Sequence, residues 1–276
     1  MGLVIKARRI SLPFIFLLVC GVVASCQGSA YAQQASQTLL QNREKAKGLW
    51  EQAIAAKGGR ERLFQVNSLL ISYQETVRNI LEIVVHQGPV EKLFVFPSKV
   101  WSWDDGLPPP FSLTVGVLDL ERDYACRVYA ESKSPVCGKA RQLGSREGID
   151  EAQYLYLMET RWIQPTPVSA RKDSIGFKTI DVVVTQLEDK RIEYYLSRET
   201  HLPQRVVTFR GAFHGVSYRA RSSYDFSDYM IVNGIQMPGK QKRGRINFSI
   251  NPAYDDGIFS RPPSIKAGLK AWQPRK

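Results

Sequence analysis

Between residues 36 and 57 apolar side chains recur at spacings of three and four. Leu39, Leu40, Ala46, Leu49, Trp50, Ala53 and Ile54 are separated by Lys, Glu and other polar residues, and the pattern stops at Gly58-Gly59. This spacing predicts an amphipathic helix with a glycine C-cap. From Ser68 the texture changes to short runs of Val, Ile, Phe, Tyr and Trp, broken by turn residues at intervals of roughly ten. Strands are predicted at 68–77, 80–87, 90–96, 99–104, 112–120 and 123–130, then at 176–187, 190–197, 203–211, 216–229 and 234–248. Asp104-Asp105-Gly106 and Val232-Asn233-Gly234 mark turns, the second with the residues of a type I′ hairpin. A second helix is predicted over 145–164, from Ser145 as N-cap to a stop at Pro165 and Pro167.

A helix that divides a β-meander must cover a sheet face or an open barrel end to bury its apolar side. The expected fold is therefore mainly β (α+β): a curved antiparallel sheet or half-open β-barrel with helices covering the concave face. Phe94 and Phe96 share one strand face at spacing two, as do Trp101 and Trp103. Each pair is a candidate lining of the concavity. Leu49 and Trp50 on the first helix, and Leu155, Met158 and Trp162 on the second, are the matching lid candidates. The same nine residues fit a solid sheet-to-helix core equally well, and both readings stay open at this point.

The N-terminus sets the compartment. Lys6, Arg8 and Arg9 precede an apolar run, 10–23, that is too short to span a bilayer as a mature helix. Residues 1–32 read as a Sec signal peptide ending at Ala30-Tyr31-Ala32, which predicts a soluble periplasmic product. The alternative is a lipoprotein signal, 1–25, whose lipobox Val23-Ala24-Ser25-Cys26 would leave a lipidated Cys26 on a membrane. Two of the four cysteines lie in this segment, which leaves Cys126 and Cys137 as a pair in an oxidising compartment. A disulfide between them would staple a hairpin whose tip carries Ser132-Lys133-Ser134-Pro135, contributing about 2–3 kcal/mol.

Cleavage after Ala32 lowers the formal charge from +12 by three and leaves a strongly basic chain. After Gln236, nine basic residues face only Asp255 and Asp256, so most of the excess sits there. The expected organisation is one domain over 33–262 followed by a basic, loosely ordered tail over 263–276. An anionic membrane surface is a compatible partner. Nucleic acid is not, because export separates the chain from the genome and no recognition motif accompanies the charge.

Motifs for chemistry are missing. His86, His201 and His214 have no partners at metal-ligand spacing, and no phosphate loop, dinucleotide fingerprint or nucleophile elbow occurs. No metal, cofactor or catalytic residue is expected, and the chain is read as a monomeric non-enzyme.

Several segments together resemble the superfamily of envelope lipoprotein carriers that includes LolA, LolB and LppX, especially its outer-membrane lipoprotein-sorting members. They are Ala55-Ala56-Lys57-Gly58-Gly59 and Val66-Asn67-Ser68-Leu69; Phe94-Val95-Phe96-Pro97-Ser98-Lys99; the stretch Tyr194 to Arg205; Tyr224 to Tyr229 with Val232 to Pro238; and Ile246-Asn247-Phe248 before Phe259 to Pro262. The resemblance implies a half-open barrel whose apolar concave face receives a lipid or lipoprotein acyl chain. In the carriers a basic residue immediately before the early-strand proline latches the lid. Here Phe96 precedes Pro97, and a phenylalanine donates no hydrogen bond, so apolar contact would have to hold the lid. That departure favours a passive binder over an energised shuttle. A scaffold or interaction module with the same fold and a filled interior is the alternative.

Overall fold

The computed structural model describes residues 37–78, 81, 83–106, 113–130, 134–143, 146–210, 219–241 and 244–259. The predicted export segment with Cys26, His214 and the basic tail lie outside them. No described helix is long and apolar enough to cross a membrane.

Helix α1 occupies 37–57 and is followed by the short α2, Arg60–Phe64. The predicted glycine stop is where the helix turns out: Gly59 N–H donates to the Ile54 carbonyl at 2.9 Å and Gly58 N–H to that of Ala55 at 3.1 Å. Gly58 has φ 131°, and a Cβ there would lie 2.5 Å from the Gly234 carbonyl oxygen. Only glycine allows the end of α1 to rest on the Asn233-Gly234 hairpin.

Strands β1 (Ser68–Arg78), β2 (Val84–Val95), β3 (Lys99–Asp104), β4 (Thr114–Asp119), β5 (Tyr124–Tyr129) and β6 (Val136–Gly138) form one meander. Strands β7 (Thr166–Ile175), β8 (Lys178–Leu187), β9 (Lys190–Leu196), β10 (Pro203–Arg210), β11 (Arg219–Val232), β12 (Ile235–Gln241) and β13 (Gly244–Ile250) form a second. Among the described residues they make a single antiparallel sheet of 13 strands in the order β6-β5-β4-β3-β2-β1-β13-β12-β11-β10-β9-β8-β7. The two meanders meet at β1 and β13, with Leu69 opposite Ile250. The sheet is not closed, and its two edges, β6 and β7, are consecutive in the chain. Their connection must therefore cross the open side. It does so as α3 (Ala140–Leu143), α4 (Glu147–Ala152), a π-helical turn (Gln153–Leu157) and an extended return. This is the curved half-barrel with covering helices that the sequence predicts.

Several boundaries differ from the expectation. The predicted strands 80–87 and 90–96 are one strand, β2, which runs through Gly88 and Pro89. Beyond Val90, which pairs with Asp104 at the end of β3, the Pro89 carbonyl still accepts the Asp105 N–H at 3.0 Å, and the Asp105 carbonyl is met by His86 Nε2, so the missing proline N–H leaves that carbonyl partnered. The predicted strand 234–248 is a hairpin, β12 and β13, with Gly244 at φ 137°. Strand β7 was not expected. It is an edge strand whose only buried side chain is Ala170, so it lacks the apolar alternation that marks a strand. Arg171 of β7 reaches across β8 to Glu193 of β9 at 2.7 Å, and this ties the edge down. Burial pushes the Glu193 carboxyl up, but the hydrogen bonds and charges of Arg171 and Arg191 outweigh it and hold the group below its ordinary range.

The second helix is shorter than predicted. It ends at Leu157, where Met158 takes φ 68°, and not at the prolines, which stand at the entry to β7. The π turn buries Gln153, Tyr154, Leu155 and Leu157 together, where a regular helix would bury one stripe. Core packing thus overrides the continuous helical pattern. Cys126 and Cys137 lie opposite each other on β5 and β6 and are disulfide-bonded, so the bridge secures the edge strand.

Candidate functional site

The concave face of the second meander is solid. Val183, Ile192, Tyr194, Leu196 and Val206 pack directly against α1 and the π turn. Trp50, 2% exposed, meets the Tyr194 ring edge-on at 5.0 Å, and Met158 is fully buried beside them. The first meander is different, because small residues occupy its concave face under α3 and α4.

Strand register makes this explicit. One row across the sheet runs Leu69, Phe94, Val100, Leu118, Ala125, and the next runs Ile71, Lys92, Ser102, Gly116, Arg127. Ser102, Gly116 and Ala125 present almost no side chain where Ile192 and Tyr194 fill the other half. A cavity of about 300 Å³ results. Phe94, Val100, Leu118 and Ala125 form its apolar floor, Leu143, Gly148 and Ile149 its roof, and Lys92, Ser102 and Arg127 its polar margin. The Ser102 hydroxyl lies 3.0 Å from where a Cβ on Gly116 would stand, so that glycine keeps the floor open. A second hollow, of about 440 Å³, lies at the far end of β1, β2 and β13, with a rim that includes Ser72, Gln74, Thr76, Gln87 and Asn247.

The structure separates the nine sequence candidates. Phe94 lines the cavity. Trp50, Phe96, Leu155 and Met158 belong to the continuous core beside it, with Leu49 and Trp162 packed against that core. Trp101 and Trp103 are on the opposite, convex face. Trp101 pairs with Leu93 and Val117 and is covered by the C-terminal segment through Phe259. Lys92, Val100, Ser102, Gly116, Leu118, Ala125, Arg127, Leu143 and Ile149 were not singled out from sequence. The alternation of β2 to β5 carries the signal, but it becomes legible only once the pairing register is known.

The lid is held by polar as well as apolar contacts. Phe96 and Trp162 are in ring contact at 5.8 Å. A charged latch stands elsewhere. Glu159, buried on the lid's return, accepts from Arg60 Nε at 2.7 Å and from Trp50 Nε1 at 3.2 Å, while Arg60 also bridges to Glu51. Hydrogen bonds donated to Glu159 and Glu51 raise the Arg60 guanidinium above its already high range. Tyr194 donates to the Tyr154 carbonyl at 3.0 Å, Gln241 to the Tyr156 hydroxyl at 3.0 Å, and Tyr224 to Glu151. Arg161 donates to Asn67 at 2.7 Å and stacks on Trp162. The lid is pinned to both meanders.

No cluster of three or more His, Cys, Asp or Glu side chains is placed to hold a metal among the described residues. His86 Nε2 donates to the Asp105 carbonyl at 2.6 Å, and His201 stands in a turn at φ 57°.

No protein-family model matches the chain, and no curated protein is similar to it. Among solved structures, it is similar to a DUF1329 family protein from Desulfovibrio piger, at 10% identity, with 78% of this chain and 96% of that one covered and a TM-score of 0.43. It is also similar to a LolA superfamily protein from Nitrosomonas europaea (12% identity, 78% and 97% covered, TM-score 0.45). A third similar structure is an outer membrane lipoprotein-sorting protein domain from Vibrio parahaemolyticus (11% identity, 79% and 97% covered, TM-score 0.43).

Proposed function

We propose that this chain is a non-catalytic envelope protein that holds the hydrocarbon part of a lipid, or of a lipoprotein acyl chain, between the first meander and its helical roof. The carrying observation is the 300 Å³ cavity floored by Phe94, Val100, Leu118 and Ala125. Its size and its lining, an apolar floor beside a polar margin, suit a small ligand with a hydrocarbon chain and a polar end. The sequence resemblance to lipoprotein carriers points the same way, and so does the export signal, which would deliver the domain to the periplasm in soluble form or tethered through Cys26. The many hydrogen bonds that pin the lid favour a static binder that takes its ligand at the β2–β5 end over a shuttle whose whole lid swings open.

The test is binding of a fluorescent fatty acid to purified protein 33–276, beside a Ser102→Phe variant that fills the cavity. Saturable binding by the wild type, lost in Ser102→Phe at an unchanged melting temperature, is expected. Absence of binding by the wild type sinks the proposal. It would favour the scaffold reading, which the solid packing of α1 and the π turn against β8–β10 supports.

A further inference from the structure

We infer that the cavity selects a single-chain amphiphile with an anionic head, and that Lys92 and Arg127 hold that head. This rests on the cavity's binding an acyl chain at all. Lys92, Ser102, Gly116 and Arg127 are successive partners in one row across β2, β3, β4 and β5. On one side of the row the concave face is apolar (Phe94, Val100, Leu118 and Ala125), and on the other it becomes polar, with Asp104, Thr114 and Tyr129 opposite and beyond Val90. The row is thus the boundary between a hydrocarbon compartment and a wet mouth. Both cations of that boundary line the cavity. Neither forms an ion pair or a side-chain hydrogen bond with any described residue. The nearest acid of the polar row, Asp104, already accepts the Gly106 N–H at 3.0 Å.

The spacing suits a shared anion. Lys92 and Arg127 are three strand spacings apart, about 14 Å along a flat sheet and less across a concave one. Both line the cavity on either side of Ser102 and Gly116, where Gly116 places no Cβ on the floor and the Ser102 hydroxyl offers a further donor. A carboxylate or a phosphate fits there, with its chain running over Phe94 toward Ile149. The volume, at the lower end of the ~300–1,000 Å³ that small-ligand pockets span, accommodates one chain and not two. Because Arg127 is exposed and Lys92 half-buried, the attraction is partly screened and weakens with salt.

The experiment measures affinities of the wild type, of Lys92→Gln/Arg127→Gln and of Lys92→Arg/Arg127→Lys for tetradecanoate, tetradecanoyl lysophosphatidate and tetradecanol at pH 8. The wild type should bind at least one of the anions roughly tenfold or more above the alcohol, with added salt narrowing the gap. The Gln pair should lose this preference while still binding the alcohol, and the charge-conserving pair should keep it. The stronger anion tells whether the head is a carboxylate or a phosphate. Equal binding of anions and alcohol, or a preference that survives in the Gln pair, overturns the inference and leaves the acyl-chain cavity standing. If no probe binds the wild type, both the cavity's function and this selectivity fail together.

Discussion

Lys57 is the last residue of α1 and is 1% exposed, with its amine 5.3 Å from the centre of the Tyr229 ring. Burial pulls its pKa down from 10.5 to about 7. Below pH 7 both folded and unfolded chains carry the proton, and the folded state bears the whole cost of a buried charge. Between pH 7 and about 10 the unfolded chain holds a proton that the folded one has released. Stability should therefore rise with pH across that window, by at most about 1.4 kcal/mol per pH unit. Urea unfolding of wild type and Lys57→Met from pH 6 to 10 isolates the effect: the variant should be the more stable at pH 7 and lack this rise. An identical slope in both proteins would remove Lys57 as its cause. Next to it, Gly58→Ala combines a positive φ with a 2.5 Å approach to a carbonyl oxygen and should cost about 2–4 kcal/mol. An unchanged or raised urea midpoint, as expected for Gly48→Ala inside α1 where a Cβ meets nothing, would contradict this reading.

At the scale of elements, the lid shows where sequence pattern and structure part. Leu155, Met158 and Trp162 fit a helical stripe, and the sequence offers no breaker before Pro165. The chain nevertheless leaves the helix at Met158, because the π turn and the reversal bury Gln153, Tyr154, Leu155, Leu157 and Met158 in the core and place Glu159 under Arg60 and Trp50. Periodicity records which residues are apolar, and a reversal that buries side chains on all sides has no single stripe to record. A similar limit applies to the two tryptophans of β3. Alternation within a strand shows that Trp101 and Trp103 share a face, yet the turn at Pro97-Ser98 sets Phe94 opposite Val100 and so sends Trp101 to the other side. Arg60→Ala should leave the buried Glu159 with Trp50 as its remaining partner and cost about 1–3 kcal/mol, discounted because Arg60 is partly exposed. Because this latch joins the lid to α1 and α2, hydrogen exchange in 153–163 should rise more than in β8–β10. A uniform rise would mean the pair stabilises the fold without acting as a latch. Removing the bridge with Cys137→Ser should cost about 2–3 kcal/mol and fall mainly on β6, which is only three residues long.

For the whole molecule, the sheet class, the leading helix, the lid's existence and the disulfide were legible, since each follows from local pattern or from compartment. The hollow was not. Lys92 and Arg127 read as ordinary outward-facing charges in alternating strands, and Gly116 and Ala125 as unremarkable small residues; only the register across four strands assembles them into one row. The solid half and the hollow half also differ in expected response to ligand. A bound amphiphile should raise the melting temperature and protect β2–β5 from exchange, while β8–β10 stay as they are.

The strand order carries one more consequence. Every neighbouring pair in the sheet joins strands consecutive in the chain except β1 with β13. That seam is clasped by Asn251, which accepts from the Asn67 and Ser68 N–H groups and donates to the Gln65 carbonyl. Each meander can zip up from local hairpins as soon as its own residues are available, but the seam must wait for nearly the last strand to emerge. A chain delivered N-terminus first therefore spends most of its transit with the apolar edge of β1 unpaired, and its slow step should be this one long-range closure. Joining the natural ends and opening the chain between β6 and β7 would place β13 ahead of β1 with α1 and α2 between them and every other pairing still consecutive, and such a permuted chain should refold markedly faster than the natural one.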